Sequence, residues 1–189
     1  NASDQTTNLA FQSGTTTTYG YDVRNNRLTS LVTSRNIQNL GYTYDNVGNV
    51  KTITDNLTAQ TTTFTYDDLN RLLTASIPSV YSHAWTYNPI GNMLTRNDNN
   101  GNVTYSYNDT AHKHAVSQIG SLYYCYDANG NMTRRNATSS ACTNGDVLSY
   151  DAENRLTSIT VGANTTAYVY DGDGNRVKKT ANGVSTFYV

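Results

Sequence analysis

Three groupings of side chains in this chain of 189 residues have types and spacings suited to chemistry. Asp171-Gly-Asp-Gly-Asn175 sets oxygen ligands at alternating positions, like the first half of a calcium loop. Such a loop also needs a distant bidentate glutamate, and no acid stands at its far end, around Gly183 and Val184. The segment therefore reads as a hairpin turn. His112 and His114 would share one strand face and offer two imidazoles to zinc, but no third ligand is suggested nearby. They read as solvated residues of a degenerate turn. Cys125 and Cys142 either form a disulfide, pinning the irregular stretch 136–145 to a neighbouring strand, or remain two free thiols. A thiol titration of the unreduced protein separates these alternatives.

Aspartates recur so regularly that no carboxylate pair is singled out for acid–base work. No G-x-S-x-G, no Cys/His constellation and no phosphate loop occurs, so the sequence suggests no enzyme, no cofactor and no metal. Asn-x-Ser/Thr matches at Asn1, Asn56, Asn102, Asn108, Asn131, Asn136 and Asn164 matter only in a eukaryotic secretory pathway.

The elements that position these residues follow from a repeated aromatic pair. Tyr19/Tyr21, Tyr42/Tyr44, Phe64/Tyr66, Trp85/Tyr87, Tyr105/Tyr107, Tyr124/Tyr126 and Tyr168/Tyr170 are each two residues apart, with Leu148/Tyr150 as a weaker case. A strand puts both members on one face; a helix would send them to nearly opposite sides. After each second member comes Asp22, Asp45, Asp67, Asn88, Asn108, Asp127, Asp151 or Asp171. Three residues on stand Asn25, Gly48, Asn70, Gly91, Gly130, Asn154 and Gly174, with Ala111 breaking the rule in the fifth unit. Asp or Asn followed by Gly or Asn at that spacing predicts a type I turn closed by a left-handed residue. Pro89 takes the second turn position, which its fixed φ suits.

That turn sets each tyrosine opposite the residue six positions later: Tyr44 with Val50, Tyr66 with Leu72, Tyr87 with Met93, Tyr126 with Met132 and Tyr150 with Leu156. In the first and last units Tyr21 and Tyr170 would face Arg27 and Arg176, a placement that permits guanidinium stacking. The tyrosines follow one another at 23, 22, 21, 20, 19, 24 and 20 residues. A period of about twenty holds two strands of ~5–6 residues with their connections and leaves no room for helices. Units of this size bury their apolar faces only against neighbours.

Composition limits the possibilities further. With 37% hydrophobic and 14% charged residues, 16 tyrosines and a formal net charge of −1, the chain cannot build a large aliphatic core. Stability should come from backbone ladders, tyrosine faces and threonine-rich outer faces such as 61–65. No basic stripe suggests nucleic acid, no apolar run suggests a membrane span, and no signal-peptide pattern opens the chain. Residues 1–18 read as a partial repeat and 19–189 as an array of about eight hairpins. Both ends read as cut, since Val189 stops in a strand that should lead to another turn.

The runs "YDVRNNRLTSL", "YDNVGNV", "YDDLNRLL", "YDANGNM", "YDAENRLTSI" and "YDGDGNRVKKT" resemble the YD repeats of the Rhs family, which includes Rhs polymorphic toxins, the toxin-encapsulating component of Tc complexes and the YD shell of teneurins. "KHAVSQIG" ahead of "YYCYDANGNM" resembles the late part of such shells. The resemblance implies one antiparallel sheet spiralling into a hollow shell around a cargo, usually a C-terminal toxin. This chain would be a wall segment of it, secreted or at the surface of a bacterium. Its partners would be the rest of the parent polypeptide, namely the closing core and the toxin cargo. The chain shows no sequence like that core, its autoproteolytic aspartates or a toxin.

Two function classes follow: a non-catalytic wall, or an extracellular surface array that binds carbohydrate or assembles into filaments. Tyrosine rows and Trp85 could stack on sugar rings, and open sheet edges such as 185–189 could pair with other chains. The apolar partners opposite the tyrosines favour the wall, because they assign the rings to packing.

Overall fold

The computed structural model describes residues 3–188. Asn1, with its glycosylation sequon, and Val189, the end of the predicted terminal strand, lie outside them. Among the described residues there are eighteen strands and no helix. The chain divides into two compact units. One runs to Tyr87 and takes in Thr95–Asn102; the other comprises Asn88–Leu94 and the chain from Val103 onward.

The first unit holds β1 (Asn8–Ala10), β2 (Thr16–Tyr21), β3 (Leu28–Thr33), β4 (Gln38–Tyr44), β5 (Val50–Asp55), β6 (Gln60–Tyr66), β7 (Leu72–Ile77) and β8 (Tyr81–Tyr87). The division falls within β9 (Met93–Asp98) and β10 (Gly101–Ser106). The second unit continues with β11 (Gln118–Ile119), β12 (Leu122–Tyr126), β13 (Met132–Ala137), β14 (Asp146–Tyr150), β15 (Leu156–Val161), β16 (Asn164–Tyr170), β17 (Arg176–Ala181) and β18 (Val184–Phe187). From β1 to β8, and again from β10 to β18, every strand pairs antiparallel with the next. The fold is all-β and built of tandem hairpins.

Turn chemistry explains the regular hairpins. The N–H of Asp45 donates to the carbonyl of Asn49 at 2.9 Å, and Gly48 closes the turn at φ 109°. Asn70 and Asn154, both at φ 61°, perform the same closure. Asparagine tolerates the left-handed region because its short polar side chain bonds locally. Tyr44 lies opposite Val50, Tyr66 opposite Leu72, Tyr126 opposite Met132 and Tyr150 opposite Leu156, as the spacing predicts.

The first hairpin differs from expectation. Tyr21 lies opposite Leu28, not Arg27, and the left-handed residue is Asn26 rather than Asn25. Asp22 donates to Arg27 O and accepts from Asn26 N, so this turn holds one residue more than its relatives. Two adjacent asparagines offer two places to close it, and the later one is used.

A second feature is a bulge in the return strand. Tyr44 pairs with Val50 but Thr43 pairs with Thr52, leaving Lys51 as the extra residue; the same shift recurs after Tyr21, Tyr66, Tyr150 and Tyr170. A bulge adds local twist and moves the following side chains to the other face. Val50 and Ile53, three apart, thus both meet tyrosines, Tyr44 and Tyr42. Leu28 and Leu31 meet Tyr21 and Tyr19 in the same way.

Little of this is enclosed. Among the described residues the buried apolar side chains are Ala75 and Ala137, with Thr17, Thr33 and Asn92 as buried polar ones. Cross-strand threonines tie the positions between the aromatic residues, Thr43 to Thr52 at 2.6 Å and Thr65 to Thr74 at 2.6 Å. Such pairs contribute about 0.2–1 kcal/mol each.

The turn glycines are not equivalent. A Cβ on Gly48 would meet the Arg27 guanidinium at 2.6 Å, whereas one on Gly174, at φ 84°, would meet nothing within 4 Å. Gly174→Asn is expected to leave the melting temperature nearly unchanged. Gly48→Ala should cost about 1 kcal/mol or more; calorimetry of both variants checks the difference.

Candidate functional site

The recurring carboxylates are consumed by their own turns. Asp45 Oδ1 accepts from the N–H groups of Val47, Gly48 and Asn49 at 3.1, 2.7 and 2.8 Å, and Oδ2 from the Asn49 amide at 2.9 Å. Asp67 accepts from Leu69 N, Arg71 N and Arg71 Nε, and Asp151 from Glu153 N, Arg155 N and Arg155 Nε. Asp127 and Asp171 repeat the pattern with Asn131 and Asn175. In the first turn Asp22 accepts from Arg24 N. Donation by the backbone N–H of Arg71, Arg155 and Asn175 holds Asp67, Asp151 and Asp171 below the ordinary carboxylate range. For Asp127 the leading cause is the side-chain amide of Asn131. The oxygens of Asp171 that resembled calcium ligands thus cap a hairpin.

The residue four after Asp45, Asp67, Asp127 and Asp151, and the residue five after Asp22, also reach the next repeat. Asn49 donates to Asn70 Oδ1 at 2.8 Å and Asn131 to Asn154 Oδ1 at 2.8 Å. Arg27 donates to Asp45 O at 3.1 Å, and Arg155 to Asp171 O at 3.3 Å. Their guanidinium groups lie over tyrosines of the following repeat: Arg27 over Tyr44, Arg71 over Tyr87 and Arg155 over Tyr170, at 5.5, 4.9 and 5.2 Å. Stacking of Arg27 on Tyr21, anticipated within the first hairpin, gives way to stacking on Tyr44 of the next. Arg176, although opposite Tyr170 in register, lies over Tyr168 and Tyr188 at 5.6 and 4.7 Å.

The tyrosine hydroxyls join one repeat to the one before. Tyr44 donates to Leu28 O at 2.7 Å, Tyr66 to Val50 O at 2.9 Å, Tyr87 to Leu72 O at 3.0 Å and Tyr170 to Leu156 O at 2.9 Å. Each acceptor belongs to the residue opposite the preceding tyrosine. Tyr21 donates to Thr6 O and Tyr126 to Val116 O, both at 3.0 Å. Burial raises the Tyr44, Tyr66 and Tyr126 phenols above their ordinary range, keeping them protonated as donors. The sequence suggested packing by these rings and gave no sign of the hydroxyl bond.

The fifth unit replaces the hairpin turn with a loop. His112 and His114 lie in it rather than on a strand. Both have partners: His112 Nδ1 bonds Asp109 Oδ2 at 2.9 Å and His114 Nδ1 bonds Asn92 Oδ1 at 2.7 Å. His114 is exposed and His112 half-buried, so both keep contact with solvent in the loop that replaces the turn. The Asp109 bond raises the His112 pKa, so this contribution is complete below the ordinary value of about 6.5 and is lost as pH rises through the folded value. Among the described residues no three His, Cys, Asp or Glu side chains are grouped to hold a metal. Cys125 and Cys142 are joined by a disulfide, with Cα atoms 6.4 Å apart.

Concave surface lies in open clefts. One of about 410 Å³ runs between two successive turns, lined by Asp45, Asn49, Lys51, Phe64, Tyr66 and Asp67. Its carboxylates already serve the turns, and no nucleophile with a partnered base stands in it.

Hairpins that begin on a Tyr-Asp or Tyr-Asn pair, with Tyr44, Tyr66, Tyr87 and Tyr170 bonded to the preceding repeat, form a tandem array. Residues 44–78 match the family model of the RHS repeat, which supports a YD/Rhs-repeat assignment. Among curated proteins none matches the chain. It is similar to the crystal structure of TcdB2–TccC3–Cdc42, with TM-score 0.69 and 22% identity over 95% of this chain and 11% of that one. For the Tc holotoxin pore of Photorhabdus luminescens with a mutated TccC3 the figures are 0.70, 23%, 95% and 11%. For TcdB2–TccC3 without its hypervariable C-terminal region they are 0.53, 17%, 89% and 12%. The likeness at these identities is one of fold, and the chain spans about 11–12% of the length of those proteins.

Two outcomes follow from the site. Tyr66→Phe should lose about 0.5–1.5 kcal/mol, because the ring stays while the bond to Val50 O goes; calorimetry against Tyr66→Ser, which also loses the ring, separates the two terms. The depressed aspartates contribute stability above their unfolded value of about 3.9 that is lost as pH falls through their folded values. The melting temperature should therefore hold between about pH 7 and 5 and fall below about 4, with a shallower fall in Asp171→Asn.

Proposed function

We propose that the chain is a non-catalytic wall segment of an Rhs-type shell that encloses or presents a toxin or effector of the same parent polypeptide. The observation that carries this reading is the use made of the polar groups. Tyrosine hydroxyls, turn carboxylates and the arginines and asparagines after them bond within and between repeats, which suits a sheet meant to be extended by further repeats. The short share of the similar solved chains that it spans supports a part of a longer wall. Its partners are then the closing core and the cargo, and its place is outside the producing bacterium.

Limited proteolysis of the parent polypeptide, followed by intact mass, tests the proposal. The region C-terminal to this segment should resist digestion in the wild type and become cleavable in a Tyr66→Ser, Tyr126→Ser variant. Equal cleavage in both would remove the enclosing role. Specific glycan-array binding that vanishes in Trp85→Ala would favour the surface-binding alternative instead.

A further inference from the structure

We propose that the Cys125–Cys142 disulfide is a redox latch on a short joint of the second unit, and that a small thiol or dithiol reductant opens it. The joint lies between β13 and β14, which pair only through Arg134↔Val147 and Arg135↔Asp146. The next joint pairs from Val147↔Thr160 to Tyr150↔Leu156, and those beyond it are as long. The β13–β14 connection is also long. Gly162 and Ala163 suffice between β15 and β16, whereas residues 138–145 form an irregular loop here.

The disulfide compensates for this deficit. Cys125 lies on β12 opposite Arg134, and Cys142 lies in the loop, so the bridge passes across β13 and holds the loop against the strand beyond it. Without it, the connection is held by side-chain bonds: Asp146 Oδ2 to Arg135 Nε at 2.9 Å and to Asn136 Nδ2 at 3.0 Å, and the Asn144 amide to Thr138 Oγ1 at 2.8 Å. The two amide bonds are exposed and the Arg135–Asp146 pair is partly exposed, at 40% and 14% of the side chains, and pairs open to solvent hold weakly. Cys125 also borders an open pocket of about 280 Å³ with Tyr124, Tyr126 and Ser140, which gives a small reductant a path to the sulfur.

The reaction balances simply. The reductant's two thiols supply two electrons and two protons; the Sγ–Sγ bond breaks, Cys125 and Cys142 become thiols, and the reductant becomes a disulfide. In oxidising surroundings the joint stays closed; in a reducing compartment it opens at a fixed place while the longer ladders of β15 to β17 persist. The latch is independent of what the wall encloses.

Hydrogen–deuterium exchange of the intact chain, with and without a phosphine reductant, tests it. Reduction should speed exchange in 132–137 and 146–150 by about tenfold or more and leave β15 to β17 unchanged. The Cys125→Ser, Cys142→Ser variant should exchange fast at the same joint without reductant and ignore it. Three results would overturn the latch: an unchanged joint after reduction, loss of protection throughout the unit, or alkylation of both cysteines in the unreduced chain.

Discussion

The bond from a tyrosine hydroxyl to the carbonyl opposite the previous tyrosine is the interaction on which the rest depends. A two-stranded hairpin is marginal in water by itself, and these hairpins have almost no enclosed apolar residue to help them. Strand ladders alone fix distance between neighbours but are weakly specified in register where faces are polar. The hydroxyl bond meets both needs, since it forms only when the ring packs over the preceding strand in one register. Ring and bond require the same placement, so repeats whose aliphatic residues are few still stack in one way.

This arrangement accounts for the turn chemistry as well. If a tyrosine must arrive over a particular carbonyl, the hairpin that carries it must close at a fixed length. The Asp caps provide that closure by taking two or three backbone N–H groups and a side-chain donor onto one carboxylate. The first hairpin shows how much freedom remains. Its turn is one residue longer, yet Tyr21 still reaches an aliphatic partner, Leu28, and Arg27 still reaches the next tyrosine. Register on the tyrosine face is kept while turn length varies.

Strand positions, turn type and the tyrosine partners were readable because they rest on local rules, a period of two and the need for a left-handed residue. The return-strand bulge was not recognised, although a signal exists. Leu28/Leu31, Val50/Ile53 and Leu156/Ile159 are three apart, a spacing that an unbroken strand would place on opposite faces. The arginines depart from expectation separately: the longer first turn takes Arg27 out of register with Tyr21, and Arg176, though opposite Tyr170, lies over Tyr168 and Tyr188. The bonds between repeats were illegible for another reason. They depend on how one hairpin sits on another, and nothing within a single repeat sets that distance. The histidines belong to the same class: His114 finds Asn92 more than twenty residues away, through a loop that follows no turn rule.

A wall and a catalytic site make opposite demands on polar side chains. Catalysis requires groups that are held in place and left incompletely satisfied, so that a substrate can complete them. Here the groups best suited to chemistry are those most fully satisfied. Asp67 and Asp151 each accept two backbone N–H groups and an arginine, and the lowered pKa values record the stability of that state rather than a readiness to take a proton. Perturbed titration marks function only when a cleft gives it something to act on. In this array the perturbation repeats with the hairpins, at the period of the turns, and a property that recurs with the scaffold is explained by the scaffold.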